Sequence, residues 1–198
     1  MLPNFELEQN VSHETLAWSK QVLEIPNEYF NGLPACPYAK KAWADDRVGF
    51  CFKYNDHWQD LYTLISTWDD SKDVVILVDF CPLPLDQMDD YLNQLNEAIS
   101  DGIFINKDMF LMGFHPEDEG NELLEEDDFE STVEEPYAMI FLQRLTKLQE
   151  ASNTLRMKGY YDVSQQYYNA DHLYENRNRL YRRLMNEKSK ENDARRHG

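Results

Sequence analysis

The chain of 198 residues is 42% hydrophobic and 13% aromatic, and 37 acidic residues against 19 Lys and Arg leave a net charge of −18. That length makes one ordinary domain, and that apolar content excludes a wholly disordered acidic chain. The longest unbroken apolar run, Val74 to Val78, is far short of the roughly 20 residues of a membrane helix, and the acidic start has no basic or apolar leader, so a soluble, cytoplasmic protein with reduced cysteines is expected.

Ser12 is placed to cap a first helix whose apolar side is Leu16, Ala17, Trp18, Val22 and Leu23, ended by Pro26. Residues 27–37, with Gly32, Pro34 and Pro37, predict an ordered loop that delivers Cys36. From Arg47 to Lys53, Val48, Phe50 and Phe52 alternate with Gly49 and Cys51, the period of a half-covered strand. Trp58, Leu61, Tyr62, Ile65 and Trp68 recur at helical spacing, with Asn55 or Asp56 as cap. The β-branched run from Asp73 to Phe80 predicts a central strand buried on both faces. After Cys81 and Pro82, Asp86 caps a helix with Met88, Tyr91, Leu92, Leu95, Ala98 and Ile99 inward, closed by Gly102.

Met109 to Phe114 reads as a third strand. The stretch Glu117 to Glu135 holds 11 acidic residues and no Lys or Arg, which predicts an extended, solvated loop. Pro136 then starts a helix carrying Met139, Ile140, Leu142, Leu145 and Leu148, stopped at Gly159. A tyrosine-rich last helix holds Leu173, Leu180 and Leu184 and frays from about Lys188. The alternation predicts an α/β fold, a small parallel or mixed sheet of about three strands covered by helices, with a C-terminal helical hairpin. Residues 1–159 form the α/β domain in this reading, and residues 160–198 a helical extension.

In an open α/β sheet, ligands bind at the carboxyl edge. Cys81 follows the second strand and His115 the third, each immediately before a proline, and Cys36, also before a proline, arrives on a loop that can fold over the same edge. Thiolate and imidazole are zinc and iron ligands, and three protein ligands with an open position is the arrangement of catalytic zinc. The expected site is therefore Cys36, Cys81 and His115, with Asp79, Glu117 or Asp118 completing or orienting it and Tyr38 and Arg144 positioning an anionic group of a small substrate. A thiol reading needs no metal: Cys36 attacks and His115 is its base.

The order Ala35-Cys36-Pro37-Tyr38-Ala39, Gly113-Phe114-His115-Pro116, then Glu135-Pro136-Tyr137 leading to Leu142 and Arg144 resembles the uncharacterised bacterial family catalogued as domain of unknown function 1415. The resemblance runs from Leu16 to Gln149 and implies no established activity. It also marks departures: Cys81 stands where members have a histidine before proline, which keeps a metal-ligand type, and Phe141 stands near a second family histidine, which does not.

The alternative is non-catalytic. Residues 138–198 carry 12 Lys and Arg and 7 acidic residues, a balance of +5, so the body before them stands at −23. Such a body can present carboxylates in place of phosphates to a basic protein partner, and it disfavours direct nucleic-acid binding. Attraction between the acidic body and the basic tail is expected as well; Arg177, Arg179, Arg182 and Arg183 form the tail's basic cluster.

Overall fold

The first helix, α1 (Phe5–Trp18), starts well before the expected cap. Ser12 lies inside it and turns its hydroxyl back onto the Glu8 carbonyl at 2.7 Å, the local bond that makes mid-helix serine a poor marker of a helix start. One π-helical turn, Ser19–Leu23, continues it toward Pro26. Two short strands, β1 (Pro26–Asn27) and β2 (Leu33–Pro34), pair antiparallel and turn the following loop back on itself. The Cys36 amide consequently meets the Leu23 carbonyl at 2.9 Å, beside the end of the helix the chain has just left. In this computed structural model, residues 4–69, 71–103, 107–118, 124, 129, 131–166 and 170–197 are described.

After α2 (Ala39–Ala44) comes the main sheet, of β3 (Val48–Lys53), β4 (Val74–Asp79), β5 (Phe110–Phe114) and β6 (Ala138–Gln143) in the order β3-β4-β6-β5. The sheet is mixed: β3 and β4 are parallel, and β6 runs antiparallel to both β4 and β5. Thus β3, β4 and β5 all point one way, as a repeated strand-helix-strand pattern requires, and β6 is inserted against them. The expected helix from Pro136 is corrected here. Ala138, Ile140 and Leu142 are wholly buried while Met139, Phe141 and Gln143 are half-buried, a period of two; helical spacing resumes only in α5 (Leu145–Met157).

Each face of the sheet buries its own set. Leu77, Leu111, Ile140 and Leu142 pack under α3 (Gln59–Thr67) and α4 (Leu85–Ser100) through Leu61, Ile65, Met88, Leu92 and Ile99. Val48, Phe50, Phe52, Ile76, Val78 and Phe141 face α1 at Leu7 and Val11. The expected caps at Asn55 and Asp86 are replaced: α3 is preceded by Trp58 and α4 by Pro84, with Asn55 accepting instead from the His57 amide at 2.7 Å. Gly102 and Gly159 take left-handed backbone, φ 78° and 74°, just past α4 and α5, as the sequence indicates.

The last helix, α6 (Ala170–His197), packs against α4 and α5, with Leu180 and Leu184 closing on Leu145. It runs on to His197, through the residues from about Lys188 that were expected to fray. Most of the acidic stretch lies outside the described residues, but its final part is anchored rather than freely solvated. The buried Glu14 carboxylate accepts from Ser131 Oγ at 2.7 Å, the Thr132 amide at 2.6 Å, Thr132 Oγ1 at 3.0 Å, the Val133 amide at 3.2 Å and Tyr137 Oη at 2.9 Å.

Candidate functional site

At the carboxyl edge, β3 ends in Lys53 and β4 in Asp79, directly opposed in register. Lys53 falls in phase with Gly49 and Cys51, so the alternation that packs the half-buried Cys51 against the core carries the ammonium inward too. Its Nζ lies 2.8 Å from Asp79 Oδ1, with both side chains wholly buried, and 5.0 Å from the centre of the Trp58 ring. The Cys81 amide also donates to Asp79 Oδ1, at 2.9 Å. Asp79 was expected to orient a metal ligand; its charge is instead committed to Lys53, because a carboxylate out of water requires an opposite charge close by.

His115 reaches the same edge and is 8% exposed, but both ring nitrogens are engaged. Nδ1 accepts from the Glu117 amide at 3.1 Å, and Nε2 lies 2.9 Å from the Leu83 carbonyl, which is the pairing of a ring with its hydrogen on Nε2. It ties the loop after β4 to the loop after β5. Glu117 contributes its backbone, its side chain being exposed, and Cys81 is exposed, with its main chain closing on the Lys53–Asp79 pair.

Cys36 is elsewhere. It lines a cavity of about 390 Å3 at the amino edge, together with Val48 and Val74, the first residues of β3 and β4. One six-residue strand, roughly 20 Å long, separates that edge from Cys81 and His115. The three expected metal ligands therefore do not converge, and His115 is out of reach as a base for Cys36. The physical reason is the β1–β2 pairing, which holds Cys36 beside Leu23 and stops it crossing the sheet. Among the described residues, no group of three or more His, Cys, Asp or Glu is placed to hold a metal ion.

The cavity does unite part of the expected set, since Tyr38 and Arg144 line it with Cys36. Its walls are mainly apolar, with Trp18, Trp43, Ile76 and Phe141 prominent. Trp43 is fixed by its Nε1–H donating to Ser19 Oγ at 2.9 Å, and Ser19 Oγ in turn donates to Glu24 at 3.1 Å. Burial pushes the Cys36 thiol up; the Tyr38 and Ala39 amides pull it partly back and nearby Glu24 raises it further, so the resting group is a thiol and not a thiolate. At the rim, Asp73 lies 2.9 Å from Arg47 and 2.7 Å from Lys147 Nζ, and these cations, Arg47 foremost, bring its carboxyl down to about 2 against burial.

Sequence reasoning passed over Lys53, Glu14 and the two tryptophans of the cavity. For Lys53 the signal was present in the strand's period; for Glu14 it was the helical phase shared with Val11. No family model matches the chain, and neither a curated protein nor a solved structure matches it.

Proposed function

We propose that this protein binds a small, largely apolar molecule in the cavity at the amino edge of its sheet. The supporting observation is the cavity itself: about 390 Å3, its surface mostly apolar and walled by Trp18, Trp43 and Phe141, within the size range of small-molecule sites. The Cys-Pro-Tyr-Ala segment that carries the family resemblance borders it. Binding fits this geometry best, because burial holds Cys36 as a thiol and the other expected ligands, Cys81 and His115, stand at the opposite edge of the sheet.

The test is titration with a neutral naphthalene fluorophore. Wild-type protein is expected to bind one equivalent with blue-shifted emission. Ala151→Trp, which fills the cavity from α5, is expected to abolish this while moving the thermal midpoint by no more than about 4 °C. Equal binding by both proteins would remove the proposal.

A further inference from the structure

Most polar side chains lining the cavity are already held within the protein. Thr15 Oγ1 donates to the Val11 carbonyl at 2.8 Å, Ser19 Oγ stands between Trp43 and Glu24, Lys41 pairs with Asp45 and Lys147 with Asp73, and Arg144 is engaged as well. Gln143 differs. It ends β6 in phase with Phe141 and opposite Val74, so its side chain rises from the same sheet face as Val74 and Ile76, which floor the cavity. Its main chain is fixed on both sides, by Val74 of β4 and Phe110 of β5. The side-chain amide is half-buried, yet it makes no hydrogen bond with any described residue. Of the other lining groups in that condition, Trp18 Nε1–H can only donate, and Tyr38 is 47% exposed. Gln143 presents N–H donors and a carbonyl acceptor side by side, from a strand whose neighbours hold it in place.

A ligand that fills the cavity takes this amide out of water, and an amide buried without a partner costs more than an ordinary hydrogen bond returns. Resting on the binding proposed above, we infer that the ligand is a neutral aromatic lactam or carboxamide: rings against Trp18, Trp43 and Phe141, and a cis N–H and C=O in a two-bond pair with the Gln143 side chain. The ligand N–H donates to the Gln143 carbonyl, and the Gln143 N–H donates to the ligand carbonyl. A carboxylate head would leave the Gln143 carbonyl without a donor, and an ammonium head would leave its N–H groups without an acceptor. An aliphatic body would forgo the stacked and edge-to-face contacts that the three aromatic walls offer.

Calorimetric titration of the full chain with 2-quinolinone and with 1-methyl-2-quinolinone, whose methyl group removes the N–H, tests the pair. The unmethylated lactam is expected to bind about tenfold or more tightly. Gln143→Leu is expected to abolish that preference, weakening the lactam about tenfold and leaving the methylated compound unchanged. Gln143→Glu is expected to move the preference to 2-aminoquinolinium, whose two N–H groups match a carboxylate; a merely structural Gln143 would leave the ranking of ligands as in the wild type. If the two quinolinones bind wild-type protein equally, or neither binds while the naphthalene fluorophore still does, the amide head is overturned and the cavity reading stands. A preference that survives in Gln143→Leu would overturn the assignment to Gln143. If neither quinolinone binds and the fluorophore also fails, both proposals fall together.

Discussion

Burying a carboxylate is costly, and Glu14 offsets that cost with hydrogen bonds from five donors in residues 131–137. Burial alone would raise its pKa; the hydrogen bonds from Ser131, Thr132 and Tyr137 outweigh it, and the group lies below its ordinary value of 4.5. Tyr137 is shifted the other way, pushed well above its ordinary value of 10.0 by burial first and by Glu14 second. A depressed carboxyl stabilises the folded state above its unfolded value and loses that contribution as pH falls through the folded one. A raised phenol keeps its contribution below its unfolded value and loses it as pH rises through the folded one. Stability measured by urea unfolding is thus expected to plateau between 4.5 and 9.0, where the thiols raised by burial begin to weigh against the fold ahead of Tyr137, and to fall away on both sides. Glu14→Gln is expected to lower the plateau by about 1–3 kcal/mol and to flatten the acid limb. A variant with the wild-type acid limb would show that other carboxylates govern it.

Among the elements, legibility followed pattern strength. The apolar, mostly β-branched run of β4 and the long amphipathic stripe of α4 were plain in the sequence, as were the glycine stops after α4 and α5. The segment beginning at Pro136 was misread because Leu142, Leu145 and Leu148 keep a spacing of three across a strand-to-helix junction, which masks the alternation of Ala138, Ile140 and Leu142. The site was half legible: Cys36, Tyr38 and Arg144 do share one cavity, but a two-residue strand pairing decides which edge of the sheet they reach, and no periodicity signals so short a pairing. Close approach between elements is equally silent. A Cβ at Gly113 on β5 would stand 2.7 Å from Leu92 Cδ1 and 2.8 Å from Met88 Cε on α4. Gly113→Ala is therefore expected to cost about 1–3 kcal/mol by overpacking. Combined with Leu92→Val it should cost less than the two changes summed, and strict additivity would sink this account.

Across the whole molecule, the opposed charges of body and tail are partly satisfied internally. Arg179 and Arg183 of α6 pair with Glu97, Arg183 also pairs with Asp101, and Lys188 lies 3.8 Å from Asp108. The arginine pairs are partly solvent-exposed, and each contributes about 0–1 kcal/mol. Leu180 and Leu184, 2% and 3% exposed, bury far more apolar surface against Leu145 and Phe110. Leu184→Ala is accordingly expected to cost about 2–5 kcal/mol in unfolding free energy and Arg179→Ala less than about 1. The reverse ranking would make α6 an electrostatically docked helix, released by salt.

The opposed Lys53 and Asp79 have a consequence for how the chain finds its fold. If β3 slid by a single position along β4, the ammonium would swing to the aromatic side of the sheet and leave the carboxylate behind in hydrocarbon, unneutralised. A lone charge in that position costs about 3–5 kcal/mol, as much as a large share of a small protein's entire margin. The pair thereby acts as a proofreader: whatever misaligned hairpins and crossovers form early, only the one alignment that unites these two ends can be kept.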